Sequence, residues 1–426
     1  MSAPENGGMY MSSKDWRKVQ AAERFLDGEW SMSEAAMAVG LSARQMRRLC
    51  RRVEEGGAEG VVHGNRGRAP VNRIEDAVRQ AVIELRRTKY AGFNDTHFTE
   101  KLREVEGTPI SRGTVRTMLR GAGIGSPRKR RPKRLFRRRE RKPKEGLMLL
   151  WDGSNHDWLE GRGTKLCLMG AVDDATGKLL PGAHFVEQEC SAAYLRVLFE
   201  IIRKHGVPWS MYMDRHSCLK RNDDHWTMEE ELKGKQESTQ VGRALEELDI
   251  EPIFALSAQA KGRIERVWGT LQDRLVSELR LANATTLAEA NAVLTKFRQD
   301  YNRRFARRAA EQERAWRPKP SLDELRRICA FSLPKPVHPD NTVHYEGHVI
   351  DLPAAPNNSS YRGQTVDLRH LLNGEVRVYT ANRVLAKVRL AVPKRAPARR
   401  RRTHKATKRK SGRKKMTFKE IAASYS

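Results

Sequence analysis

Gly262-Arg263-Ile264-Glu265-Arg266-Val267-Trp268-Gly269-Thr270-Leu271 is the stretch around which the rest of the chain is organised. Ile264, Val267, Trp268, Leu271 and Leu275 recur at helical spacing, which predicts an amphipathic helix laid against a sheet, with Lys261 and Arg263 at its mouth. Glu265 stands beside the apolar stripe. A carboxylate at the edge of a buried face needs a partner to offset desolvation, and metal ions shared with other carboxylates are the obvious one. Two strand-like runs upstream supply those carboxylates. Leu147 to Trp151 delivers Asp152 and Trp209 to Met213 delivers Asp214, each aspartate ending an apolar run where a strand would leave the core.

Composition bounds the partner. The chain has 426 residues, 38% of them hydrophobic, enough for several packed domains. Lys and Arg number 82 against 52 Asp and Glu, and the formal charge of +30 calls for a polyanion. Nucleic acid fits. An anionic membrane is the competitor, but the chain has neither an apolar run long enough to span a bilayer nor a basic amphipathic helix with a strongly apolar opposite face. The five cysteines form no C-x-x-C pair, and Met1 to Tyr10 lacks an apolar signal core, so a reducing, cytoplasmic setting is expected.

In the N-terminal third, Ser31 and Glu34, then Ser42 and Gln45, have capping-box spacing on either side of Gly40. The pattern predicts a helix-turn-helix. Met46 and Leu49 face inward with Ala36 and Leu41, leaving Arg44, Gln45, Arg47, Arg48, Arg51 and Arg52 outward, placed to reach phosphates and base edges in a major groove. The basic segment around Arg66 and Arg68 breaks the helical pattern and reads either as a minor-groove follower or as a spacer. Helices at Glu75 to Arg87, Thr96 to Val105 and Ser111 to Arg120 then predict a second helix-turn-helix, with Arg112, Arg116 and Arg120 along one face. Two modules on one chain raise affinity through effective concentration.

From Gly146 the pattern becomes strand-like: Leu147 to Asp152, Lys165 to Val172 and Leu179 to Val186, an expected antiparallel meander. A helix over Ser191 to Lys204, the strand ending at Asp214, a helix near Val241 to Leu248, the strand Pro252 to Leu256 and the Glu265 helix complete a mixed α/β domain. If the first and fourth strands are neighbours, Asp152 and Asp214 come side by side.

This order of elements, with Trp151-Asp152-Gly153-Ser154, Val172-Asp173-Asp174-Ala175-Thr176, Met213-Asp214-Arg215-His216-Ser217 and Lys261-Gly262-Arg263-Ile264-Glu265-Arg266, resembles the integrase-like DDE transposases of bacterial insertion sequences, most closely the ISNCY type. The resemblance implies an RNase H-like catalytic core with Asp152, Asp214 and Glu265 as a metal-binding triad. It further implies two Mg²⁺ ions per site, with Mn²⁺ substituting, and both DNA cleavage and strand transfer. The spacing from Asp214 to Glu265 (265 − 214 = 51) is longer than in retroviral integrases, with the charged segment Lys220 to Glu237 as the excess. Glu229, Glu230 and Glu231, within that segment, are the rivals of Glu265. Lys261 and Arg263 are expected on phosphates of the DNA end, Asp173 and Asp174 in a turn, and His216 in a loop.

A helix from Thr286 to Arg307 is expected to close the core. Beyond it, Val343 to Leu352, Gln364 to Asp367, Glu375 to Thr380 and Val384 to Val388 read as strands, resembling the small β-barrel that follows the core in Mu-type transposases. Lys394 to Lys415 is a dense basic run without an acid, suited to sequence-independent DNA affinity.

The expected organisation is therefore multidomain: residues 1–63 a helix-turn-helix DNA-binding domain, 64–72 a basic linker, 73–125 a second helix-turn-helix domain and 126–145 a basic linker. Residues 146–310 are the α/β RNase H-like catalytic core, 311–335 a linker, 336–392 the small β-barrel and 393–426 a basic tail. The expected partners are double-stranded DNA, both transposon ends and target, and further copies of the chain in a synaptic complex, in the nucleoid of a bacterial cytoplasm. The alternatives are a DNA-binding regulator with an unused triad and a metal-dependent nuclease without strand transfer.

Overall fold

The computed structural model describes residues 11–62, 73–127, 139–221, 226–234, 236–255, 262–355, 359–381 and 383–390. Arg66, Arg68, Lys261 and the basic tail lie outside the described residues. The chain divides into two compact units, Met1–Ala81 and Val82–Ser426.

In the first unit, three helices, α1 (Ser13–Leu26), α2 (Met32–Ala38) and α3 (Ala43–Gly56), precede a 3-10 turn at Gly57–Val61. Both expected capping boxes form, Ser31 with Glu34 and Ser42 with Gln45. Gly40 joins α2 to α3 at φ +64°, a conformation glycine adopts without a Cβ penalty. Ala21, Ala22, Ala35 and Ala36 are buried, so the helices approach closely, and Met46, Leu49 and Val53 fill the space between them. Helix α1, capped by Ser12, has no counterpart in the sequence reading.

Helices α4 (Asp76–Arg87), α5 (Asp95–Glu104) and α6 (Arg112–Gly121) follow, with Asn94 and Ser111 capping the last two. Phe98, Leu102, Val115 and Leu119 are buried as their spacing requires. The buried Arg86 guanidinium donates to the carbonyls of Tyr90 at 3.0 Å and Phe93 at 2.7 Å, satisfying the turn after α4.

The centre of the second unit is a five-stranded sheet of order β3-β2-β1-β4-β5. Strands β1 (Met148–His156), β2 (Leu166–Asp173) and β3 (His184–Val186) form the antiparallel meander, and β4 (Ser210–Met213) and β5 (Glu251–Phe254) run parallel to β1. The crossovers contain α7 (Ser191–Lys204), α8 (Met228–Lys233) and α9 (Gln240–Glu247). Side chains alternate across β1. Leu149 and Trp151 join a core with α7, α9 and α12 (Leu322–Ile328), while Met148 and Leu150 join another with α10 (Ile264–Leu281) and α11 (Leu287–Phe305). Helices thus cover both faces, which is why β1 and β2 read as nearly continuous apolar runs.

Two expectations are corrected. The third strand is not Leu179 to Val186: Leu179 makes an isolated bridge to Val172, Pro181 and Gly182 interrupt, and the ladder is His184–Val186. Nor is the C-terminal region a closed β-barrel among the described residues. A four-stranded sheet of order β11-β10-β9-β6 stands beside a separate two-stranded ribbon, β7-β8. The ribbon is the expected Val343 to Leu352 strand folded into a hairpin, β7 (Thr342–Tyr345) and β8 (His348–Asp351), because Glu346 and Gly347 adopt φ +48° and +78°. Strand β6 (Phe331–Pro336) lies inside the expected 311–335 linker, and its Pro334 and Pro336 mark it as an edge. Strands β9 (Thr365–His370), β10 (Glu375–Thr380) and β11 (Arg383–Arg389) complete the sheet, leaving β6 and β11 as its two edges.

Candidate active site

Strand pairing puts the two aspartates together. β1 and β4 are parallel with Met148 opposite Ser210, Leu149 opposite Met211 and Leu150 opposite Tyr212. The offset (210 − 148 = 62) carries Asp152 onto Asp214 (214 − 152 = 62). Both are partly exposed where the strands leave the core. The Asp214 carboxylate accepts the backbone N–H of His216 at 3.0 Å, which folds the following turn back towards the strand end.

Helix α10 crosses this sheet as its apolar stripe requires. Ile264, Val267, Trp268, Leu271 and Leu275 are buried, and the Trp268 indole N–H donates to Oδ2 of Asp152 at 3.2 Å. Glu265 lies one turn earlier on the helix and is exposed. Among the described residues no group of three or more His, Cys, Asp and Glu side chains is arranged to hold a metal ion. Arg263, expected on DNA phosphates, is instead engaged with the buried Asp174 carboxylate and donates to the carbonyl of Arg139 at 2.5 Å.

A further carboxylate stands at the pair. Glu189, in the segment before α7, accepts the Tyr194 hydroxyl and lies 3.6 Å from Nδ1 of His216. A Cβ on Gly153, the residue after Asp152, would sit 2.7 Å from Glu189 Oε2, so glycine makes the room that this carboxyl occupies. Burial raises the Tyr194 hydroxyl pKa, and Glu189, Asp214 and Asp152 add to the shift. Burial likewise pushes the Cys167 thiol up to about 12, with Glu189 and Asp152 contributing. The sequence reading missed Glu189, and the signal available was the unexplained glycine in Trp-Asp-Gly.

The other acids have structural duties. Asp173 is fully buried and accepts the N–H of Gly146 at 3.0 Å and both the N–H and hydroxyl of Thr176 at 2.7 Å, the expected turn role. Glu230 is tied to Arg221 and accepts the N–H groups of Thr227 and Glu237, which hold its pKa down to about 2.

Among the helix-turn-helix candidates, Arg44, Gln45, Arg47 and Arg48 are exposed on α3, and the Gln45 amide oxygen is committed to the cap, accepting the Ser42 N–H at 3.0 Å. Arg112 and Arg116 are exposed on α6. Arg120, third in that stripe, turns inward to Asp95 at 2.6 Å. Helix α5 is fastened to α10 by Lys101 and His97 on Glu278, each at 2.7 Å, and by Glu100 on Arg274 at 2.6 Å.

A winged helix-turn-helix family model matches residues 21–80. A Sinorhizobium fredii protein named as a transposase, y4bF, is 40% identical over 313 residues, covering 73% of this chain and 66% of that protein. The transposase for insertion sequence IS1202 of Streptococcus pneumoniae is 31% identical over 349 residues, 72% of each chain. This chain belongs to the insertion-sequence transposases. The match spans slightly less than two thirds of y4bF's own length. Among solved structures, the transposase is similar to a chain of the simian T-cell lymphotropic virus intasome with PP2A subunit B56 gamma, at TM-score 0.29 and 14% identity, covering 75% of this chain and 100% of that one. It is also similar to the HTLV-2 integrase catalytic core domain in complex with magnesium, at TM-score 0.26 and 16% identity, covering 35% and 84%. The transposase carries a helix-turn-helix match at residues 21–80 and, in its second unit, an α/β core built on the five-stranded sheet. Among the described residues, no helix is long and apolar enough to cross a membrane.

Proposed function

We propose that this transposase binds the terminal inverted repeats of its insertion sequence and catalyses Mg²⁺-dependent DNA cleavage followed by strand transfer. One observation carries the reading: the parallel register of β1 and β4 puts Asp152, within β1, level with Asp214, just past the end of β4, in a chain whose relatives are transposases.

The donor set fits the metal in kind. Carboxylates from separate elements offer hard oxygen ligands, which Mg²⁺ prefers, and the Trp268 and His216 N–H groups hold one oxygen of each aspartate without adding a positive charge. Asp152 and Asp214 would hold the ions, with Glu265 on the exposed first turn of α10 as the third ligand. Bound there, Mg²⁺ supplies stabilisation of charge on the attacking and leaving oxygens of a phosphodiester. The arginines of α3 and α6 hold the DNA end in register, with Lys261, outside the described residues, as a further phosphate ligand. Cleavage leaves a 3′-OH, and transfer joins that oxygen to target phosphorus with release of the target's own 3′ oxygen. Joining two ends calls for more than one copy of the chain, acting on DNA in the bacterial cytoplasm.

A second reading, a DNA-binding regulator with an unused triad, draws on the lack, among the described residues, of a three-ligand group arranged to hold a metal. One experiment decides: full-length protein, oligonucleotides carrying the element's ends, supercoiled target plasmid and Mg²⁺, beside Asp214→Asn. Joined products absent from the variant are expected. Binding with neither nicking nor joining would favour the regulator, and nicking without joining a nuclease.

A further inference from the structure

A cavity of about 390 Å³ opens between the end of β2, the first half of α10 and the end of α11. Five arginines line it: Arg139, Arg141, Arg263, Arg266 and Arg307. Among the described residues no acidic side chain does. Beneath the rim, the carboxylate of Asp174 is fully buried and already saturated. Its Oδ1 takes Arg139 at 2.7 Å and Arg263, and its Oδ2 takes the N–H of Lys142 at 2.8 Å. Arg141 reaches past it to the Asp174 carbonyl at 2.6 Å.

These contacts do two things. They fix the basic segment entering the core to the N-terminus of the helix carrying Glu265, and they aim guanidinium groups into one space. Like charges gathered around one space repel, and the one carboxylate beneath the rim is shared between two of them, Arg139 and Arg263. Burial and the neighbouring Arg263, Arg307 and Arg266 depress the Arg141 pKa, with Asp174 opposing only in part. Val172 and Tyr301 give the cavity an apolar wall, and the hydroxyls of Thr176 and Thr270 stand among the cations. Planar guanidinium forks suit phosphate oxygens, which Arg binds bidentately.

We propose that this arginine-lined cavity is a DNA contact distinct from the helix-turn-helix modules, taking consecutive phosphodiester groups of the strand that approaches α10. The proposal rests on the transposase reading above. It reassigns Arg263 from a lone phosphate ligand to one wall of a built site and adds Arg141, Arg266 and Arg307. The same chemistry would accept a small phosphate anion, so the test separates the two sources.

The test compares the full-length chain with Arg141→Gln/Arg307→Gln, with Arg141→Lys/Arg307→Lys, and with a control pair remote from the cavity, Arg203→Gln/Arg326→Gln. Affinity for a fluorescent end duplex is measured across a salt series, with and without millimolar pyrophosphate. The Gln pair is expected to bind about tenfold more weakly with a log–log salt slope shallower by about 1–2, while the Lys pair and the control keep the parental slope. Pyrophosphate should raise the apparent Kd of the parent more than that of the Gln pair. An unchanged slope in a folded Gln pair overturns the proposal while leaving end binding intact. A pyrophosphate effect confined to the parent with no change of DNA slope assigns the cavity to a small anion and also overturns it. Failure of the parent to bind its own ends would instead sink the reading on which the proposal rests.

Discussion

The indole N–H of Trp268 donates to Oδ2 of Asp152 across 3.2 Å, tying helix α10 to the strand that carries Asp152. The bond holds one oxygen of Asp152 in place. Trp268 also packs its ring over Gly170, the residue paired with Asp152 on β2, so donor and carboxylate are set by one piece of packing.

Trp268→Phe keeps most of the buried volume and removes the donor. A stability loss of about 1–2 kcal/mol is expected from the lost hydrogen bond and the smaller ring, together with a fall in strand transfer at unchanged end binding. Thermal melting and parallel cleavage assays check this, and parental transfer rates in a folded variant would remove the contact from the site.

Gly153→Ala places a methyl 2.7 Å from Glu189 Oε2 and 3.2 Å from Met169 Sδ. The clash should cost roughly 1–3 kcal/mol. Glu189→Ala in the same chain clears most of the space, so the double variant should be more stable than the sum of the singles predicts. Chemical denaturation of all four proteins measures the coupling. Additive losses would mean that the two residues do not meet.

Arg47→Ala/Arg48→Ala removes two exposed cations from α3 without touching its buried face. Weaker end binding with a salt slope shallower by roughly 1 per lost phosphate contact is expected, at unchanged melting temperature. Equal binding by parent and variant would dismiss α3 as the recognition helix.

Glu278 joins α5 to α10 through Lys101 and His97. Burial raises its pKa, but His97 and Lys101 outweigh that and hold it below the ordinary glutamate value. A depressed folded-state pKa means the stabilisation is present above the unfolded value of about 4.3 and is lost as pH falls through the folded one. Protection of the α5 amides, their exchange normalised to the intrinsic rate at each pH, should therefore fall on acidification below that value. Glu278→Ala should remove the pH dependence and cost roughly 1–3 kcal/mol, between the surface-pair and buried-pair limits. Protection insensitive to acid in the parent would contradict this anchoring role.

Local rules made much of this chain legible. Ser31 with Glu34 and Ser42 with Gln45 satisfy backbone donors within four residues of themselves, so their helix starts needed no knowledge of the fold. The apolar period of α10 and the run before Asp152 were equally local, and the pairing of β1 with β4 then followed the expected order of elements. The turn at Gly347 within Val343 to Leu352 was legible as well, because a glycine interrupting β-branched residues marks a hairpin, and the chain does reverse at Glu346-Gly347. Barrel closure failed as an expectation because it is a property of which edges pair, and β6, an edge containing two prolines, had been read as linker.

By itself the sequence determined the partner class, through a charge of +30, and the positions of the helices and strands that bear Asp152, Asp214 and Glu265, because capping and hydrophobic period act over a few residues. Tertiary structure alone decided which charges meet. Arg263 and Asp174 lie 89 residues apart and Trp268 and Asp152 lie 116 apart, so only the packing of α10 on the sheet could pair them. The same packing brought five arginines into one cavity, since side-chain encounters across a core depend on register and helix placement that no local pattern encodes.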